Sequence, residues 1–115
     1  MIFSLIKIYP AKGHASDIID VLQSVKVLLA SVPGCLHSTV CIEGTGDEDH
    51  GAIFYLEKWR SRESLDEHLR SSTYMMVLEA LEFSCRSPEV AFFDGVEVGG
   101  LDVVEMARSL LIGDI

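Results

Sequence analysis

The chain has 115 residues, 49% of them hydrophobic, which is the length of one domain with enough apolar side chain for a packed core and too much for intrinsic disorder. Nine Lys and Arg stand against eighteen Asp and Glu, a formal net charge of -9, and the basic residues are scattered from Lys7 to Arg108 rather than clustered. That balance argues against a nucleic-acid partner and against attraction to anionic membrane surfaces, and it suits a neutral or weakly acidic ligand.

Ile2 to Tyr9 is apolar, rich in β-branched residues and closed by Pro10 and Gly13, which predicts a first strand. The stretch Met1 to Lys7 carries no basic leader and its apolar run is interrupted at Ser4 and stopped at Lys7, so it resembles neither a signal peptide nor a membrane span. A cytoplasmic location is the expectation, and the three cysteines, Cys35, Cys41 and Cys85, are then read as free thiols. From Ala15 to Val32 apolar residues recur at three- and four-residue steps, predicting an amphipathic helix with Ser16 as N-cap and Pro33-Gly34 as its stop.

Cys35 to Glu43 reads as a second strand and Gly51 to Trp59 as a third, joined through Gly44-Thr45-Gly46-Asp47-Glu48-Asp49 into a hairpin. A helical region follows from Ser61 to Phe83, with a break expected near Ser71-Ser72-Thr73, and a fourth strand runs from Glu89 to Val98. The order strand, helix, strand, strand, helix, strand is the split βαβ pattern: an α+β, ferredoxin-like βαββαβ sandwich with two helices on one face of a four-stranded antiparallel sheet. Residues 1–98 make up that domain. Gly99-Gly100 opens an extension, 99–115, with a short amphipathic helix from Leu101 to Leu111.

The strands predict assembly as well. The third offers Ile53 and Tyr55 to one face and Phe54 and Leu56 to the other, and the fourth sets Val90 and Phe92 against Ala91 and Phe93. Two helices cover only one face, so a homodimer through the second sheet face is expected.

Within this architecture, the segment Tyr55-Leu56-Glu57-Lys58-Trp59 followed by a polar link and a helix carrying His68 resembles the signature of the antibiotic biosynthesis monooxygenase domain, and Pro33-Gly34-Cys35-Leu36 resembles that family's lead-in to its second strand. The resemblance spans about residues 1 to 98 in element order. It implies a dimeric α+β barrel, often associated with oxygenation of quinols, anthrones and other electron-rich aromatics without metal, flavin or haem. Family members tied to that chemistry can carry an amide four positions before the strand-end Trp, where this chain has Tyr55, and a helix Arg near the position of Leu78. Substrate identity is therefore not carried over.

Cofactor-free oxygenation needs a base to ionise a phenol or activated carbon, donors to hold the anion, and a dry pocket where that anion reduces oxygen itself. His68 is the best base by type, with a reference pKa of about 6.5. Its setting, Asp66-Glu67-His68-Leu69-Arg70, predicts an exposed side chain whose truncation leaves the fold intact. Glu57, on the strand face between Tyr55 and Trp59, is the alternative base or else a structural ion-pair partner. Trp59 and Tyr55 would wall a flat substrate, Tyr74 would stabilise an anion, and Met76 would line the pocket, each with core packing as its alternative. Cys35 and His37 are expected on one strand face about 6.5 to 7 Å apart, without the orienting acid a nucleophilic pair needs.

No dinucleotide, phosphate-loop, zincin or calcium-loop motif occurs, and the four histidines are dispersed, so no metal and no cofactor are expected. Asp47-Glu48-Asp49-His50 is a cation-binding alternative that reads better as a solvated turn. The leading expectation is a homodimeric, cofactor-independent monooxygenase of a small phenolic, quinol or polycyclic aromatic substrate, using molecular oxygen. The competitor is a non-catalytic small-molecule-binding or stress-response dimer of the same fold.

Overall fold

A computed structural model describes residues 1–44 and 51–113. Strands β1 (Ile2–Ile8), β2 (Cys35–Ile42), β3 (Ile53–Trp59) and β4 (Glu89–Asp94) form one antiparallel sheet in the order β2-β3-β1-β4. Helix α1 (Ala15–Leu29) joins β1 to β2, α2 (Arg62–Leu69) and α3 (Ser72–Leu81) join β3 to β4, and α4 (Leu101–Gly113) follows β4. This is the ferredoxin-like α+β sandwich implied by the element order.

The two-residue period of the strands sorts side chains onto two unlike faces. Ile6, Ile8, Ile53, Tyr55, Glu57 and Trp59 are buried on the inner face, where Ile18, Leu22, Val25 and Leu29 of α1 and Tyr74, Val77 and Ala80 of α3 close over them. The outer face carries Leu5, Phe54, Leu56, Ala91 and Phe93 at its centre, partly or largely open. The helical region after β3 breaks where expected. Ser61 caps α2 by accepting from the Ser64 amide at 3.2 Å, and Ser71 does the same for α3 through the Tyr74 amide at 3.2 Å.

Among the differences from the sequence reading, four stand out. The N-cap of α1 is His14, whose side chain makes no capping bond, and Ser16 lies inside the first turn. The helix ends at Leu29 instead of Val32, since Pro33 disfavours helical geometry in the residue before it. β4 ends at Asp94, which pairs with Ile2, instead of at Val98, and a last pair of backbone hydrogen bonds joins Gly95 to Met1. A bulge between Cys35 and His37 pairs Cys35 with Trp59 and His37 with Lys58, so the two fall on opposite faces and are not same-face neighbours. Gly34, at φ +90°, allows α1 to hand over to β2: a Cβ there would collide with the Ser64 side chain.

Among the described residues no helix is long and apolar enough to cross a membrane. The expected hairpin turn after Gly44 and the Asp47-Glu48-Asp49-His50 cation alternative lie outside the described residues.

Candidate active site

The inner face of β3 is apolar except at Glu57, and the register sets Ser38 of β2 and Ser4 of β1 on either side of it, a polar row across three strands. A buried carboxylate requires donors, and two reach it. Trp59 Nε1 donates to Glu57 Oε1 at 3.0 Å, and His68 Nε2 lies 3.0 Å from Glu57 Oε2. The His68 and Glu57 side chains are each 1% exposed. The His68 ring stacks on Trp59 with centroids 4.6 Å apart and meets the Tyr74 ring edge-on at 5.2 Å.

His68 is therefore not the exposed helical histidine its polar neighbours suggest. Helix α2 is only two turns long, and Leu65 and His68, three residues apart, form its buried stripe while Glu63 and Glu67 face outward. The spacing that buries Leu65 also aims the imidazole at β3. Where Nε2 is the donor to the Glu57 carboxylate, Nδ1 is the ring nitrogen left to accept a proton.

Tyr55 sits two residues from Glu57 on the same face, fully buried. Burial first, then the Glu57 charge, pushes its hydroxyl far above the ordinary tyrosine range. That hydroxyl is close enough to feel the carboxylate without meeting hydrogen-bond geometry, and it and Ser4 Oγ are buried with no hydrogen-bond partner among the described residues. Burial and Glu57 also raise the Tyr74 hydroxyl. Burial, then Glu57, raises the Cys35 thiol, partly offset by its bond to the His37 carbonyl. Neither Ser4 nor Ser38 was expected at the site. The signal was a serine at an inward position of an apolar strand, readable only once the register faced both toward Glu57.

Two cavities lie along α2 among the described residues. One of about 250 Å³ is lined by Leu29, Val32, Pro33, Ser64, Glu67, His68, Ser71 and Thr73. The other, about 320 Å³, lies between α2 and β4, lined by Ile2, Arg62, Leu65, Leu69, Phe92, Phe93 and Asp94. His68 lines the first. Tyr55 and Trp59 line neither, being sealed in the core, and Met76 packs against the core from α3 without lining either cavity. Of the six residues singled out in sequence, five converge: Tyr55, Glu57, Trp59, His68 and Tyr74. Among the described residues no three His, Cys, Asp or Glu side chains gather closely enough to hold a metal ion.

The profile of the antibiotic biosynthesis monooxygenase family matches residues 1–77, two thirds of the chain. The chain belongs to that family. Solved structures of the same fold include Rv0793 from Mycobacterium tuberculosis, 20% identical over 86% of this chain and 98% of its own, with a TM-score of 0.73. A conserved protein from Methanosarcina mazei is 21% identical over 83% of this chain and 92% of its own, with a TM-score of 0.71. An antibiotic biosynthesis monooxygenase is 16% identical over 84% and 100%, with a TM-score of 0.68. At these identities the likeness is one of fold. No curated protein matches the chain.

Proposed function

We propose that this member of the antibiotic biosynthesis monooxygenase family is a homodimeric, cofactor-independent monooxygenase of a small phenolic or quinol substrate. The observation that carries the reading is the buried Glu57–His68 pair, with His68 on the wall of a cavity. Glu57 holds the imidazole and its tautomer, and His68 takes the substrate hydroxyl proton through Nδ1. The resulting anion supplies the electrons to molecular oxygen. One oxygen atom stays on the ring carbon as a carbonyl, and the other leaves as water with the two hydrogens the substrate has lost. A cavity of about 250 Å³ is small for a ligand site and favours one or two rings over a larger polycycle.

A second reading, a dimer that binds a small molecule without turnover, is favoured by one observation: both Glu57 oxygens are already engaged and Tyr55 and Trp59 are sealed. Oxygen uptake with a panel of quinols, corrected for autoxidation, separates the two. Uptake by the wild type that falls about a hundredfold in His68→Gln supports the enzyme. Ligand binding without uptake by any quinol overturns it in favour of the second reading.

In both readings the domain is 1–98, the segment 99–115 is an addition to it, and two copies meet through the outer sheet face. That face offers Leu5, Phe54, Leu56 and Phe93 to a partner, and an apolar sheet face of this kind is not left to water.

A further inference from the structure

Helix α4 is out of keeping with the rest of the chain. Every side chain from Leu101 to Leu110 is exposed, and among the described residues the helix packs its length against no other element. Its helical positions sort into an apolar arc with Val103, Val104, Met106 and Leu110 and a polar arc with Asp102, Glu105 and Arg108. The radius of gyration is 17.4 Å, where a compact chain of this length has about 13 Å. Rv0793 places 98% of its own length on 86% of this chain, about 99 of the 115 residues, so a segment the size of 99–115 is this chain's addition to the shared fold.

We propose that α4 is an arm that grips a second copy of this chain stacked on the outer face of the sheet. This rests on the dimer reading above and goes beyond it by assigning the extension. After β4 the backbone turns to that side: Gly95 lies against the Phe3 ring, and Glu97 pairs with Lys58 at 4.0 Å. Phe3 and Lys58 are both outer-face residues, so the arm starts where a partner would lie.

Charge points to a copy of this chain as the occupant. The chain carries eighteen acidic residues, yet Glu89 is the sole acid among the twelve outward strand positions, which also present Lys7 and Lys58. Two copies of a molecule of net charge -9 meet there with least repulsion. The exposed apolar arc of α4 adds surface that such a contact would bury. At about 20 Å its length also matches the width of the sheet. An anionic lipid surface fits poorly, because the polar arc has two acids and one base.

The test is sedimentation velocity across a dilution series of the full chain and of the double variant Met106→Lys, Leu110→Lys, which retains good helix formers on a helix outside the core. Circular dichroism confirms that both are folded. The expected result is a wild-type dimer whose dissociation constant rises at least roughly tenfold in the variant, together with amide-exchange protection of α4 that disappears on dilution. An unchanged dissociation constant in the variant overturns the arm and leaves the sheet dimer standing. A wild type that is monomeric throughout overturns both. Protection of α4 that persists in a monomer means the helix folds back on its own body, and stronger partition into anionic vesicles than into dimer assigns it to a membrane surface; either result also overturns the proposal.

Discussion

His68 Nε2 lies 3.0 Å from Glu57 Oε2 across eleven residues of chain, and neither side chain is more than 1% exposed. The pair links α2 to β3 at the point where the carboxylate also accepts from Trp59 Nε1. Removing one member of such a pair leaves the other buried and uncompensated, so its loss costs more than the bond itself is worth.

For that reason His68→Ala is expected to lower stability by about 3 to 5 kcal/mol, not by the small amount typical of an exposed site. His68→Gln, which can keep a donor on Glu57, should recover most of that loss while remaining about a hundredfold down in turnover. Urea midpoints and oxygen uptake on both variants make the check. If Gln restores activity as well as stability, His68 is not the base.

Trp59→Phe keeps an aromatic ring under His68 but removes the Nε1 donor to Glu57, so the expected cost is about 1 to 3 kcal/mol. Trp59→Ala also removes the ring and should cost about 3 to 5 kcal/mol or more. Chemical denaturation of the two variants tests the order. Equal losses would mean that the indole bond contributes nothing and that only volume matters.

Tyr55 and Tyr74 hold their protons above the ordinary tyrosine range because burial and Glu57 disfavour the phenolate. The unfolded chain releases those protons from about pH 10. Above that value the folded state binds more protons than the unfolded state, so stability falls as pH rises, while below it these groups leave stability independent of pH. Urea midpoints from pH 7 to 11 should therefore drop more steeply in the wild type than in Tyr55→Phe. Parallel curves would rule out a perturbed Tyr55.

Cys35 is half-buried and its thiol is raised, mainly by burial and then by Glu57, whereas Cys41 and Cys85 are exposed. Alkylation at neutral pH followed by peptide mass mapping should modify Cys85 well before Cys35, because the thiolate is the reacting form. Fastest labelling at Cys35 would contradict the sheltered position assigned to it.

Much of this fold could be read from local periodicity. The alternation of Ile53, Tyr55, Glu57 and Trp59 placed four side chains on one face, and Ser71 marked the break between α2 and α3, because strand pleat and helix capping depend on residues a few positions apart. Where the answer depended on a partner strand, it did not show. The bulge that separates Cys35 from His37 exists only in the pairing of β2 with β3, and the end of β4 is set by its register against β1. His68 shows the same limit at the site. Its charged neighbours describe the solvent side of a two-turn helix; the three-residue step from Leu65 turns it inward, but the carboxylate that meets it stands eleven residues away on another element, which no local pattern encodes.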